Sequence, residues 1–222
     1  MLCKTKAIAA LLAGAAIAGG ADAATDPAGD FLATYTGALN PNLDFTSAEA
    51  RFDGSNYNLK LTLNGAVGAP AGQLYVWGIN RGAGTARLND LAGPDLDPTV
   101  KWDSLAVLTP DGTMRVVVLP PAGPPAVTAF AGGAVIDGNT VSASVPLSLL
   151  TSRGYDPGSY IFQLWSRLRA NPAVDGPNSE IADFGPRLFA SIPEPGSWAM
   201  MIGGFGLAGF AARRRRVRIA LA

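Results

Sequence analysis

One cysteine and no histidine occur among the 222 residues. The single thiol, Cys3, lies ahead of the first apolar stretch, whereas a lipid-bearing cysteine would follow it, so lipidation is not expected. Once an N-terminal leader is removed, the chain has neither residue type. Disulfides are then excluded, and an exported fold must be held by its core alone. The common zinc sites and every histidine-dependent nucleophile arrangement are excluded as well. Charge is scarce at 15% of residues and evenly split, 17 basic against 17 acidic. No helical period persists beyond two turns.

The even split of charge comes from the two ends of the chain. Lys4 and Lys6 precede the apolar run Ala7–Ala18, and Ala21 and Ala23 supply a small-x-small cleavage site. That layout predicts a secretory signal peptide over residues 1–23, with export machinery and signal peptidase as partners. Setting aside both lysines, Arg213–Arg216, Arg218, Asp22 and Glu194 leaves 10 basic and 15 acidic residues, a net charge of about −5. An acidic body argues against nucleic acid or anionic lipid as its partner.

Residues 191–222 read as a three-part address. Pro193, Glu194 and Pro195 form a rigid punctuation, Ala199 to Ala212 is apolar, and Arg213, Arg214, Arg215 and Arg216 follow. Arginines are retained on the cytoplasmic side, so an emerging chain stalls when the apolar stretch meets the bilayer. Ser197 to Ala212 is 16 residues, about 24 Å of helix against a hydrocarbon core of about 30 Å. So short a transmembrane helix suits a transient stop that is later processed, the logic of GPI-anchor signals. The series Pro193-Glu194-Pro195-Gly196-Ser197-Trp198-Ala199-Met200-Met201, the glycine-rich stretch Gly203 to Gly209 and the arginine block resemble the PEP-CTERM sorting signal. That resemblance implies a Gram-negative bacterium making extracellular polysaccharide, and processing by an exosortase, a membrane-embedded transpeptidase-like enzyme. Val217–Ala222 departs from the typical signal, which ends at its arginines.

Residues 24–190 are enough for one domain with a real core. Gly, Pro, Asn and Asp punctuate short apolar or alternating runs, the pattern of an all-β sandwich. Tyr57–Leu63 alternates strictly and pairs with Phe45–Phe52 through Asp53-Gly54-Ser55-Asn56. Trp102–Leu108 turns at Pro110-Asp111-Gly112 into Met114–Leu119, and Ala134–Ile136 turns at Asp137-Gly138-Asn139 into Thr140–Val145. Leu74–Asn80 and Tyr160–Leu168 are dense in apolar residues and read as central strands. Ile181–Phe184 closes the set. The expectation is a single jelly-roll-like β-sandwich of about nine strands, with Pro146–Leu150 as one helical turn. Gly82–Asp97 and Pro120–Pro125 are long Gly/Pro-rich connections, the usual places for a binding site.

Short phrases of the body, Asp26-Pro27-Ala28-Gly29-Asp30, Asn42-Leu43-Asp44 and Gly138-Asn139-Thr140-Val141, are similar to CBM9-like and DOMON-like β-sandwiches. The resemblance implies sugar binding, or haem in some branches, and the missing histidine stands against haem. Tyr75, Trp77, Trp102, Tyr155, Tyr160 and Trp165 are the aromatics able to stack on pyranose rings, although tryptophans within strands more often belong to a core. Asp26, Asp30, Asp44 and Asp183 offer oxygens to a calcium tying the two ends of the domain together, against the plainer reading of solvated turn carboxylates. Asp97 with Asp103, or Glu180 with Asp183, are the carboxylate pairs available for glycosidic acid–base work. No catalytic residue is assigned and no other cofactor is expected.

The sequence reading is thus an exported, non-enzymatic binding or structural module set in exopolysaccharide or biofilm. It passes through an inner-membrane intermediate to the envelope, outer surface or extracellular matrix. Until processing it is held to the membrane by its C-terminal helix. The alternatives are a carbohydrate-active enzyme of narrow scope, or a module binding calcium or another small ligand.

Overall fold

A computed structural model describes residues 23–68, 72–88, 91, 100–168 and 178–191, together with 203–206, 209, 210 and 213 of the tail. The chain opens with β1 (Ala24–Thr25), β2 (Phe45–Phe52) and β3 (Asn56–Leu63). It crosses to β4 (Gln73–Asn80), passes a side ribbon of β5 (Thr85–Ala86) and β6 (Lys101–Trp102), and continues as β7 (Ser104–Leu108), β8 (Met114–Val118) and β9 (Ala126–Phe130). It returns as β10 (Ala134–Asp137) and β11 (Thr140–Pro146), then ends with β12 (Ile161–Leu168), β13 (Ile181–Phe184) and β14 (Leu188–Phe189). One sheet has the order β1-β2-β3-β11-β10, and the other β13-β12-β4-β7-β8-β9 with β14 beside β12. All nine expected strands are present. Added to them are β9 and the two-residue strands β1, β5 and β14, and the Trp102–Leu108 run is divided at Asp103.

Each hairpin turn has the chemistry its geometry needs. Asp53 Oδ1 accepts the N–H groups of Ser55 (2.9 Å) and Asn56 (2.8 Å), while Gly54 takes φ +100°, which side chains rarely tolerate. Asp111 Oδ1 accepts Thr113 N–H in the same way. Asn139 Nδ2 donates to Leu63 O across to β3. Leu147–Leu149 is a single 3₁₀ turn at the exit of β11.

The jelly-roll-like expectation is corrected by the connectivity. A jelly roll changes sheet at most of its connections, whereas here the path changes only after β3, β9 and β11. Three antiparallel hairpins and a meander account for the rest, because tight turns close at lower entropic cost than crossovers. What remains of the Greek-key pattern is the nesting of β3 against β11 and β4 against β12.

Alternation sorts the strands into faces. Tyr57, Leu59, Leu61 and Leu63 of β3 point between the sheets, opposite Tyr75, Trp77 and Ile79 of β4 and Phe162 and Leu164 of β12. Tyr57 stacks on Tyr160 at 5.2 Å and tilts against Phe162 at 5.6 Å. The hydroxyls of Tyr57, Tyr75 and Tyr160 donate to Pro157 O, Asn42 O and Leu150 O. Burial pushes Tyr57 and Tyr75 well above the usual tyrosine range, so they stay neutral donors. A second cluster, with Leu32, Leu43, Val76, Trp165 and Phe184, covers the outer face of the larger sheet. β4 is therefore buried on both sides. A Cβ on Gly78 would meet Trp165 Cζ3 at 2.7 Å, so only glycine lets that indole lie across the strand.

Trp77→Ala is expected to lower the unfolding free energy by about 3–5 kcal/mol, the range for a large buried aromatic. Phe189→Ala, on a side chain 63% exposed, should change it by less than about 0.5 kcal/mol. Urea unfolding of the two variants is the check.

Candidate functional site

The acidic site is built by a strap that leaves β1 and crosses the edge of the larger sheet. Leu32 N–H donates to Ala182 O (2.9 Å) and Thr36 N–H to Ser179 O (3.1 Å), which stitches the strap to β13 and the turn before it. Gly29, at φ +87°, lets Asp26-Pro27-Ala28-Gly29-Asp30 fold back. Its N–H then donates to Asp44 Oδ2 at 2.8 Å. Asn64 Nδ2 donates to the same oxygen at 2.9 Å.

This folding brings Asp26, Asp30 and Asp183 together. Each offers a carboxylate oxygen, and the three oxygens lie within 4.8 Å of one another. Oxygens sharing one calcium at about 2.4 Å cannot be further apart than about 4.8 Å, so the spacing fits a common cation. Asp183 is 1% exposed. Its Oδ2 accepts Phe45 N–H and its Oδ1 accepts Phe184 N–H, both at 2.8 Å, so one side chain links β13 to the first residue of β2 in the other sheet. Burial, opposed by the Phe45 N–H and reinforced by the Asp30 and Asp44 charges, pushes its carboxyl up to about 7. Asp44 stands beside the trio rather than in it. Its Oδ1 is buried and accepts no hydrogen bond, an acceptor left for a cation. Hard oxygens, mutual repulsion and an orphaned acceptor suit calcium better than a softer metal.

A second arrangement, which sequence reading missed, lies where β4 ends. Arg81 Nε donates to Asp103 Oδ1 at 2.7 Å, with side chains 2% and 3% exposed. Arg81 Nη1 donates to Thr151 O, and its own carbonyl accepts the N–H groups of Arg153 and Tyr155. Asp103 Oδ2 accepts Ala83 N–H. The pair thus pins the 151–155 loop and the start of the β5–β6 ribbon to the end of β4. A lone arginine between Asn80 and Gly82 has no signature marking it as buried. The one usable hint was its place directly after an unbroken apolar strand.

The aromatic candidates do not form a platform. Tyr75 and Trp77 lie wholly in the inter-sheet core and Trp165 in the outer cluster. Trp77 meets Phe162 edge-on and Trp165 stacks on Phe184, and all three side chains are buried rather than presented on a surface where a sugar could stack. Trp102 is half-buried, 6.0 Å from Trp165, with the Arg87 guanidinium 4.4 Å above its ring. Tyr160 is buried, while Tyr155 is 38% exposed. The paired carboxylates are likewise dispersed. Asp103 is committed to Arg81, Glu180 forms an ion pair with Arg167, and Asp97 lies outside the described residues.

Arg81→Ala is expected to cost about 3–5 kcal/mol of stability, because it strands a buried carboxylate. Replacing both partners, by Arg81→Met with Asp103→Leu, should restore most of that loss. Denaturant unfolding of the single and double variants measures the difference.

Ser191 N–H donates to Ala50 O and Phe52 N–H to Ser191 O, each at 2.9 Å, so β2 holds the last described residue of the body. Residues 203–206, 209, 210 and 213 are helical. Among the described residues, no helix is long and apolar enough to cross a membrane. Pro193, Glu194, Pro195, Arg214, Arg215, Arg216 and most of the expected sorting helix lie outside the described residues, as do Ala21 and the rest of the expected leader except Ala23. No curated protein matches the chain. A family model does match the tail: residues 191–216 match the PEP-CTERM protein-sorting motif, and such a motif implies export, exosortase processing at the C-terminus and a cell-envelope or extracellular destination.

Proposed function

We propose that the chain is a non-enzymatic β-sandwich module of a Gram-negative bacterium. It pauses in the inner membrane by its tail and is then delivered to the envelope surface or the exopolysaccharide and biofilm matrix. The observation that carries this reading is the sorting motif, whose first matched residue, Ser191, is hydrogen-bonded to β2. The engagement of Asp103 and Glu180 in ion pairs supports a binding or structural role over glycosidic acid–base chemistry. Mass spectrometry of the exported protein tests the delivery. The mature chain should begin at Ala24 and lack the Arg213–Arg216 peptide, and an intact arginine peptide at full stoichiometry overturns the proposal.

The gathering of Asp26, Asp30 and Asp183 favours a companion reading, in which calcium closes the strap onto β13. With no disulfide to do this, a cation joining residues distant in sequence is the remaining cross-link. At a hundredfold excess over its Kd, calcium would add about 2.7 kcal/mol, which is about 5–10 °C in Tm for a domain of this size. A thermal scan of the exported protein in millimolar calcium against chelator should show that rise, and Asp30→Asn should abolish it. No shift in the unaltered protein removes the cation.

A further inference from the structure

We propose that the outer edge of β9 is a self-association surface, where two copies of this chain pair β9 with β9 and continue the larger sheet across a two-fold axis. The proposal goes beyond the delivery reading and does not depend on the cation. Its starting point is a difference between the two sides of the sandwich. On one side the strap covers β13, the last strand of the larger sheet, through Leu32 N–H donating to Ala182 O. There too, β1 and Ser191 occupy the edge of β2 in the smaller sheet. On the other side β9 ends the larger sheet and β10 ends the smaller one. Among the described residues, no further strand or strap pairs with either. A sheet edge is a row of N–H and C=O groups, so what fits it is another extended backbone.

The β9 edge also lacks the usual protection. Sheets blunt an edge with charge or proline, and Ala126–Phe130 holds neither. No charged residue occurs between Arg115 and Asp137, a run of 21 positions in a chain that is 15% charged. Val127 on β9 is 59% exposed and Val135 on β10 is 60% exposed. Thr128 stands opposite Val116, which is buried between the sheets. Cross-strand partners share a face, so Thr128 and Ala126 lie on the inward side of the larger sheet. Both are nevertheless exposed. The smaller sheet therefore stops short of β9 and does not obstruct a strand arriving in the plane of the larger one.

The charge pattern favours a second copy as the occupant. The body carries about −5, so copies repel one another over most of their surface, and a charge-free patch is where they approach at least cost. Antiparallel pairing centred on the middle of the strand sets Thr128 opposite Thr128, Val127 opposite Ala129 and Ala126 opposite Phe130. Every opposed pair is then uncharged, and threonine opposite threonine is a stabilising cross-strand pair. The contact is isologous and uses up β9 of both copies, while the far side of each sandwich is covered by its strap. Association therefore closes at two.

The only cysteine is Cys3, so removal of the leader leaves no thiol, and Thr128→Cys gives the exported protein a single one on the axis. Directly opposed residues of antiparallel strands have Cα atoms about 4.5–5.5 Å apart, within the about 4.4–6.8 Å that a disulfide spans. Oxidation should convert most of Thr128→Cys to a covalent dimer, whereas Leu39→Cys, at a position 64% exposed, should stay largely monomeric. Sedimentation equilibrium supplies a second readout. The unaltered protein should dimerise, and Thr128→Lys should weaken the dimer about tenfold or more by setting like charges opposite each other. An equimolar mixture of Thr128→Lys and Thr128→Glu should recover it. Because Thr128 is exposed, both variants should melt close to the unaltered protein. A protein that stays monomeric up to about 1 mM, a dimer indifferent to Thr128→Lys, or equal cross-linking of the two cysteine variants overturns the proposal.

Discussion

The two-sided burial of β4 is the constraint on which the rest of the structure depends. Its odd-numbered residues, Tyr75, Trp77 and Ile79, fill the space between the sheets, while Val76 packs outward under the second cluster. A strand buried on one side needs only a partner sheet; this one also needs a cover. The strap supplies part of it through Leu32 and Leu43, and the strap is therefore held at several points. Tyr75 donates to Asn42 O and Ser166 Oγ donates to Leu43 O. The same strap brings Asp26 and Asp30 to Asp183. The acidic cluster is thus a consequence of covering the sheet, and a cation there would act on the closure of the second hydrophobic layer.

That dependence explains which parts of the protein were legible in the sequence. Strands with one wet face show their period directly, as Tyr57–Leu63 does. Hairpin turns carry residues that positive φ or side-chain capping demands. The joining of Asp26 and Asp30 with Asp183 was also readable, because a closing strand commonly returns beside the start of a domain. The face on which a tryptophan lies was not readable. Trp77 and Trp165 sit in strands buried on both sides, where no polar alternation records direction. β9 escaped for the opposite reason. Ala126 to Ala129 are exposed at a sheet edge, so no buried period marks them as a strand. Arg81 was hidden because a charge at the end of a strand is ordinarily solvated. Only its contact with Asp103, 22 residues away, makes it internal.

The absence of cysteine from the body bears on the order of these interactions. In an exported domain without disulfides, the unfolded chain keeps its full loop entropy, and the native state must offset it by packing and by contacts between distant residues. Asp183 with Phe45 spans 138 residues and Ser166 with Leu43 spans 123. These hydrogen bonds tie the two sheets together without a disulfide. They also concentrate carboxylates in a poorly solvated corner, a cost that a divalent cation relieves and a monovalent one relieves less.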